Sequence, residues 1–354
     1  MTEDRRTQFH QIAHGQGNQA WLTSAWQHHI GHEYGAENFA AATLDFVRKW
    51  DWDWVKINPR AIYYAEVWDA VYDKDHYDWL VPHTVRAAIQ DAGDIARIDY
   101  RDPETNKILQ EQIQAARTIR DGLEDRAVID TVFSPLSVLL LLADLPLYPD
   151  EQGSVQEDDR DQNRQTLIFD QPEAAKSALD NIARTLADYA TLLVNPKEQG
   201  GAGLDGIFFA ETGLASHGYF DQPQLEEWAK PYDRIVIQAV RQANPDALVL
   251  MHTCREDAHP EEFTDLNPDF LHWDQFRPGN PEISTDFPAV PVGGADFELF
   301  NPGGDVNQIR EELDQTIQAR QGRPFLLAPS CTIPTPADEE ALRVLSGTRA
   351  SKEL

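Results

Sequence analysis

The stretch Asn244-Pro245-Asp246-Ala247-Leu248-Val249-Leu250-Met251-His252-Thr253-Cys254 combines a structural signal with a chemical one. Its first three residues are typical of a turn, and the continuous apolar run after them predicts a strand buried on both faces, as in a parallel sheet. Side chains alternate along a strand, so His252 and Cys254 are expected on the same side of the chain. They would then lie close enough to bind one metal ion.

Similar short runs recur along the chain and are separated by longer segments of helical periodicity. Seven strands are predicted and the eighth is not clear; the seven are residues 53–57, 127–133, 206–212, 248–253, 270–274, 289–295 and 324–330. Plausible helices between them are residues 171–193, 222–243, 306–320 and 336–348. This alternation predicts an α/β fold, a (β/α)8 TIM-like barrel with an N-terminal helical extension.

The whole chain, residues 1–354, is expected to form a single barrel domain. Residues 1–50 are interpreted as N-terminal helices, and the polar, acidic, non-periodic segment 148–166 as an exposed surface loop. The charge of this segment alternatively marks a domain boundary. The pattern of strands and helices continues after it without a change of type, which favours one domain.

The chain is strongly acidic, with 60 acidic and 30 basic residues, a net charge of −30 and only 8 lysines. Nucleic acids and anionic membranes are therefore poor partners. The scattered acids indicate adaptation to a salt-rich cytoplasm, because molar salt shortens the Debye length to about 3 Å and screens self-repulsion. The alternative is an acidic surface for a basic partner. Because no apolar run approaches the roughly 20 residues that cross a bilayer, and no signal peptide is evident, we expect a cytoplasmic protein.

The two cysteines of the chain, Cys254 and Cys331, both follow predicted strands. The C-terminal ends of barrel strands meet at one mouth, so Cys331 is expected near His252 and Cys254. Two thiolates and one imidazole favour zinc, and three protein ligands leave a position open for substrate. Alternatively, both cysteines are small buried hydrophobic residues. Asp274, at the end of another strand, is a possible fourth ligand or a hydrogen-bond partner of a ligand.

Four motifs follow one another in the C-terminal half: His252-Thr253-Cys254, Leu271-His272-Trp273-Asp274, Val292-Gly293-Gly294-Ala295-Asp296 and Ser330-Cys331-Thr332-Ile333-Pro334-Thr335-Pro336. Their order resembles the uroporphyrinogen decarboxylase superfamily, most closely its corrinoid-dependent methyltransferases. The N-terminal half agrees more loosely, through Thr43-Leu44-Asp45-Phe46, Asp53-Trp54-Val55-Lys56-Ile57-Asn58-Pro59 and Phe133-Ser134-Pro135-Leu136. Those methyltransferases bind zinc through His-x-Cys and a distant Cys, so the resemblance implies His252, Cys254 and Cys331 as ligands.

The resemblance implies two different reactions. In a methyltransferase, zinc holds the acceptor thiol as its thiolate, which takes a methyl group from a corrinoid, and a corrinoid protein is a possible partner. In a decarboxylase, arginines bind the acidic side chains of a tetrapyrrole and no metal is used. The corresponding segment 25–35 contains histidines and no arginine, which disfavours decarboxylation of uroporphyrinogen. A non-catalytic barrel that binds a corrinoid or another tetrapyrrole is the third hypothesis.

Further residues are candidate site residues: Lys56, Asn58 and Glu211 lie at predicted strand ends, the histidines are expected at the barrel mouth, and Tyr64 in an aromatic wall. Three are predicted to be catalytic: Glu211, Arg255 and Asp274. Six are predicted to bind substrate: His28, His29, Lys56, Asn58, Tyr64 and Asp296. The competing interpretations are surface exposure for the histidines, structural hydrogen bonds for the residues at strand ends, and core packing for Tyr64.

Arg255 directly follows the His-x-Cys motif, where many members of the superfamily have glycine. It adds bulk and positive charge beside the predicted metal. One interpretation is that Arg255 selects an anionic small-molecule substrate. The other is that the site has changed to accept a substrate of different chemistry.

Overall fold

Eight parallel strands form one sheet that curls as in a TIM-like barrel, and we call this sheet the barrel. The computed structural model describes residues 4–16, 21–78, 80–150 and 163–348. In their order around the sheet, the strands are β1 (Leu22–Thr23), β10 (Leu326–Leu327), β9 (Val290–Gly293), β8 (Phe270–His272), β7 (Leu248–Thr253), β6 (Gly206–Thr212), β5 (Val128–Phe133) and β2 (Val55–Ile57). The predicted α/β fold with parallel strands is therefore confirmed.

Hydrogen bonds also join the two ends of this strand order. The N–H of Asp53 donates to the Thr23 carbonyl at 2.9 Å, and the Thr23 N–H donates to the Asp53 carboxylate at 2.9 Å. The Ser24 hydroxyl donates to the Trp54 carbonyl at 2.8 Å. β1 is the strand that the sequence left unidentified, because two residues are too few to show a period of two.

Alternate side chains of β7 face two different layers of the core. Leu248 and Leu250 face the interior of the barrel, where they belong to one cluster with Phe270. Val249 and Met251 belong to the second cluster, which lies between the strands and the surrounding helices. Both faces of the strand are thus buried, which accounts for its continuous apolar run.

Ten helices are described: α1 (Arg5–Ala13), α2 (Ala36–Trp50), α3 (Tyr63–Val67), α4 (Lys107–Gly122), α5 (Pro135–Leu142), α6 (Pro172–Val194), α7 (Gln222–Trp228), α8 (Lys230–Ala243), α9 (Val306–Ala319) and α10 (Glu339–Gly347). The single helix predicted over residues 222–243 is instead α7 and α8, with a break at Ala229. Pro231 lies in the first turn of α8, where its missing N–H is tolerated. α10 begins after the predicted position because Asp338 caps it by accepting from two backbone N–H groups.

The N-terminal segment contains the barrel strand β1 between two helices, so the prediction of helices alone over residues 1–50 was incomplete. The ring of Phe9 on α1 lies 4.9 Å from that of Phe270 and 5.6 Å from that of Trp54. Arg6 donates to Asp205 at 2.6 Å. These contacts pack α1 against the N-terminal ends of the barrel strands.

An antiparallel hairpin, β3 (Val71–Asp78) and β4 (Val81–Arg86), is separate from the barrel sheet. The Thr84 hydroxyl donates to Asp144 at 3.0 Å, and the Tyr77 hydroxyl donates to Glu33 at 3.2 Å. These two contacts hold the hairpin near the C-terminal ends of the barrel strands.

The predicted acidic loop, residues 148–166, falls largely on residues 151–162, which lie outside the described part of the chain. Within the described part, no helix combines the length and the apolar character needed to cross a membrane.

Candidate metal centre and its cavity

β7 and the segment after β10 bring one histidine and two cysteines together. His252 belongs to β7 and follows Leu250 on its inward face, and Cys254 comes two residues later. The Cys254 N–H donates to the Thr212 carbonyl at 2.9 Å, which fixes the chain where it leaves the strand. The sulfur atoms of Cys254 and Cys331 are 3.5 Å apart. One potential ligand atom from each of the three residues lies within 4.8 Å of the others.

The donor set and its spacing fit a zinc ion. Two sulfurs at about 2.3 Å from a tetrahedral zinc are roughly 3.8 Å apart, which is close to the observed 3.5 Å. A disulfide requires about 2.05 Å between its sulfurs, so both cysteines are free thiols. His252 Nδ1 is buried and has no hydrogen-bond partner among the described residues, which leaves it available as a ligand.

Hydrogen bonding between the two thiols shifts their pKa values in opposite directions. The bond from Cys254, assisted by His252, lowers the pKa of Cys331 well below its ordinary value. The same bond, together with burial, raises the pKa of Cys254. In this pair, Cys331 is therefore the stronger acid and Cys254 the weaker one. A bound divalent cation would favour the thiolate form of both.

A cavity of about 330 Å³ adjoins this centre and is lined mainly by apolar and aromatic side chains, among them Phe133, Leu147 and Phe208. Its volume lies at the lower end of the range of about 300–1,000 Å³ that is typical of small-molecule sites. The hairpin contributes Val81 and Pro82 to the wall. Nine of the predicted site residues also line this cavity: His28, Lys56, Asn58, Tyr64, His252, Cys254, Arg255, Asp274 and Cys331.

Lys56 is buried inside the barrel at this cavity. Its ammonium group donates to the Asn58 side-chain oxygen and lies 4.3 Å from the ring centre of Phe208 and 5.3 Å from that of Trp26. Burial lowers the pKa of Lys56 to about 7, although the attraction of Cys331 opposes this shift. Two aromatic faces thus stabilise a cation that is largely removed from water.

Arg255 has a backbone φ of 77°, in the left-handed region that favours glycine. Its guanidinium lies 4.8 Å from the ring centre of Tyr148. Arg255 Nε is buried without a hydrogen-bond acceptor, and no carboxylate of the described residues lies within ion-pair distance of the guanidinium. Among the described residues, the guanidinium of Arg255 therefore has no ion-pair partner at the cavity.

Asp274 shares the cavity wall with Arg277, which lies 3.3 Å from its carboxylate. Burial raises the pKa of Asp274 to about 7, and the attraction of Arg277 opposes the shift. Arg277 also pairs with Asp296 at 3.2 Å and Glu298 at 3.1 Å. Glu256 lies 3.8 Å from the same guanidinium, so Arg277 is neutralised by carboxylates from three segments of the chain.

The family model "Uroporphyrinogen decarboxylase (URO-D)" matches residues 33–351. The chain belongs to the uroporphyrinogen decarboxylase family. The superfamily predicted from the C-terminal motifs is thereby confirmed. No curated protein sequence is significantly similar to this URO-D family member.

Two solved structures align with nearly the whole chain. A methyltransferase from Methanosarcina mazei aligns over 98% of this chain and 98% of its own at 15% identity, with a TM-score of 0.71. A B12-independent methionine synthase from Shewanella sp. W3-18-1, in complex with selenomethionine, aligns over 93% and 94% at 13% identity, with a TM-score of 0.49. At such identities, the first likeness supports the fold alone and the second is too weak to support an argument.

Three predicted site residues of this URO-D family member are absent from the cavity wall. His29 packs against the rings of Phe39 and Phe46, and burial lowers its pKa to about 4. Asp296 pairs with Arg277 and caps a short helical turn. Glu211 is completely buried near Asp233 of α8, outside the barrel interior. The roles assigned to these three residues stay predictions.

Several residues at the site were not among the sequence predictions: Trp26, Tyr148, Phe208, His272 and Arg277. For two of them the sequence carried a usable signal. His272 lies between Phe270 and Asp274 in the period of two, and Arg277 follows Asp274 by three residues. The aromatic residues had no such signal, because apolar strand positions occur on both faces of this sheet.

Proposed function

We propose that this protein is a zinc-dependent methyltransferase that moves a methyl group between a corrinoid and a thiol-type acceptor. The observation that carries the proposal is the convergence of Cys254, Cys331 and His252 beside a cavity of small-molecule size. Three protein ligands leave one coordination position for a substrate atom, as in catalytic rather than structural zinc sites.

Zinc held by His252, Cys254 and Cys331 would lower the pKa of an acceptor thiol, which is about 8.5 in free cysteine, and would so supply a thiolate at neutral pH. The other residues bind and enclose the acceptor. Apolar side chains such as Phe208 exclude water from the cavity, and Lys56 adds positive charge that favours a nearby anion. A cavity of about 330 Å³ suits a molecule the size of a small thiol, so the acceptor is the reactant that fits inside and the corrinoid is the second reactant.

Arg255 supports an anionic acceptor in this proposal. A left-handed backbone costs a residue other than glycine roughly 1–2 kcal/mol, so an arginine at φ 77° is expected to contribute through its side chain. Its guanidinium reaches the cavity without a carboxylate partner among the described residues. A carboxylate or sulfonate on the acceptor would supply that partner.

Decarboxylation of a tetrapyrrole is the second candidate, because the matching family model carries the name of a decarboxylase. Lys56 and Arg255 are cavity cations that suit an acidic substrate. The cysteine pair disfavours this reaction, since decarboxylation of that kind needs no metal and gives two thiols beside the cavity no role. A non-catalytic barrel that binds a corrinoid is the third candidate and predicts binding without turnover.

The test begins with zinc content, measured after purification in about 2 M NaCl so that self-repulsion is screened. The wild type is expected to hold about one zinc per chain, and Cys254→Ser and Cys331→Ser are each expected to lose it. Thr253→Ala is the matched control, because Thr253 is buried on the same strand but is absent from the cavity wall. This variant is expected to retain zinc.

Turnover is then measured with methylcobalamin and a thiol, followed by the spectral change on demethylation of the cobalt. Zinc-dependent methyl transfer supports the proposal. A protein without zinc that releases carbon dioxide from a porphyrinogen would support the decarboxylase instead. Binding of methylcobalamin without transfer to any thiol would support the non-catalytic barrel.

A further inference from the structure

His272 lies beside the metal centre without being one of its three candidate ligands. It belongs to β8 and is the register partner of His252 on β7. The two rings are stacked, with centres 4.7 Å apart and planes inclined by 27°. The ring of Trp26 meets that of His272 edge-on, with ring centres 5.3 Å apart. The plane of the His252 ring is therefore restricted by a completely buried neighbour.

The same side chain contacts the segment that carries Cys331. His272 Nε2 lies 3.1 Å from the Pro329 carbonyl oxygen. A carbonyl oxygen only accepts hydrogen bonds, so Nε2 carries the proton and donates it. Pro329 precedes Cys331 by two residues, and this bond ties β8 to the backbone that leads into the second thiol ligand.

We infer that His272 is a positioning residue that orients two ligands of the metal centre, His252 by ring stacking and Cys331 through the Pro329 carbonyl. The inference rests on the proposed function only in that it assumes that the three ligand residues bind zinc. It requires no particular methyl donor or acceptor.

The alternative is that His272 has only a packing role and fills the barrel interior. Its register partner on the next strand is Val292, and Phe270 occupies the preceding inward position of β8. An apolar side chain would fill such a position at lower desolvation cost, whereas His272 Nδ1 is buried without a hydrogen-bond partner among the described residues. A histidine here combines an aromatic face with a donor, and neither phenylalanine nor an aliphatic residue does both.

Two variants separate these contributions. His272→Phe keeps an aromatic face against His252 but leaves the Pro329 carbonyl without its donor. His272→Gln keeps a donor but removes the ring. Val292→Ala is the matched control, because it truncates a buried side chain next to His272 in the same layer and belongs to a strand that carries neither His252 nor Cys331.

Zinc affinity is measured by competition with a chromophoric chelator, and the absorption spectrum is recorded with Co²⁺ in place of zinc. Both His272 variants are expected to bind zinc about 10–100-fold more weakly than the wild type, with a changed Co²⁺ spectrum. Val292→Ala is expected to match them in thermal stability of the metal-free protein and to keep the wild-type affinity and spectrum.

Affinities within threefold of the wild type for both His272 variants overturn the inference, as does an equal loss of affinity in Val292→Ala. A wild-type protein that binds no zinc overturns both this inference and the proposed function. A protein that binds zinc, loses affinity in the His272 variants and transfers no methyl group to any thiol supports the inference while refuting the proposed function.

Discussion

Replacement of Glu211 by glutamine is expected to stabilise the protein at neutral to alkaline pH. Glu211 on β6 and Asp233 on α8 are both completely buried. Their four carboxyl oxygens have no hydrogen-bond partner of good geometry among the described residues. Burial raises the pKa of Glu211 to about 7, and burial together with Glu211 raises the pKa of Asp233 well above its ordinary value.

The direction and size of the effect follow from proton binding. Between the ordinary pKa of 4.5 and the folded value of about 7, the folded state keeps a proton on Glu211 that the unfolded chain releases. The free energy of unfolding therefore falls as the pH rises. The stabilisation that depends on protonated Glu211 is fully present below pH 4.5 and is lost once the pH passes about 7. The shift from 4.5 to about 7 corresponds to about 3 kcal/mol.

Urea unfolding followed by circular dichroism checks this expectation between about pH 4 and pH 8, a range that spans the titration. Glu211→Gln is expected to match the wild type near the acidic limit and to exceed it by about 3 kcal/mol near the alkaline limit. Glu311→Gln, at an exposed position of α9, controls for removal of one negative charge. Parallel pH profiles for the wild type and Glu211→Gln would refute the reasoning. Methyl transfer that is lost in Glu211→Gln despite a stable fold would instead support the predicted catalytic role.

Three further predictions concern charge and strain. Lys56→Met is expected to stabilise the metal-free protein by up to about 5 kcal/mol at pH 7 and below, because burial lowers the pKa of Lys56 from 10.5 to about 7. The free energy of unfolding of the wild type should rise between pH 7 and 10.5, and that of the variant should not. Equal pH dependence of the two proteins in urea unfolding would contradict this prediction. Arg255→Gly is expected to keep the stability of the protein or raise it by about 1 kcal/mol, because glycine adopts a φ of 77° without strain. The variant is also expected to raise KM at least about tenfold for 3-mercaptopropionate, which carries a carboxylate, but not for the uncharged 2-mercaptoethanol. The unfolding temperature should rise between about 0.1 and 2 M NaCl as the net charge of −30 is screened, and an unchanged temperature would count against salt adaptation.

Local patterns in the sequence predicted most of the fold and the three candidate metal ligands. The turn and the apolar run before His252 are local features, and the period of two along a strand relates His252 to Cys254 without reference to the rest of the chain. Cys331 could be placed near them because the C-terminal ends of parallel barrel strands converge. These inferences need only strand periodicity and the type of sheet.

Only the tertiary structure determined which face of each strand is the inner one. In a strand buried on both faces, no alternation of polar and apolar residues identifies the interior. The sequence was therefore equally compatible with Glu211, at the end of β6, facing the cavity or facing the helix layer. The pairing of β1 with β10 and the stacking of His272 on His252 also depend on contacts between distant segments. Strand register and the packing of remote residues decide such contacts, and neither is encoded in a local pattern.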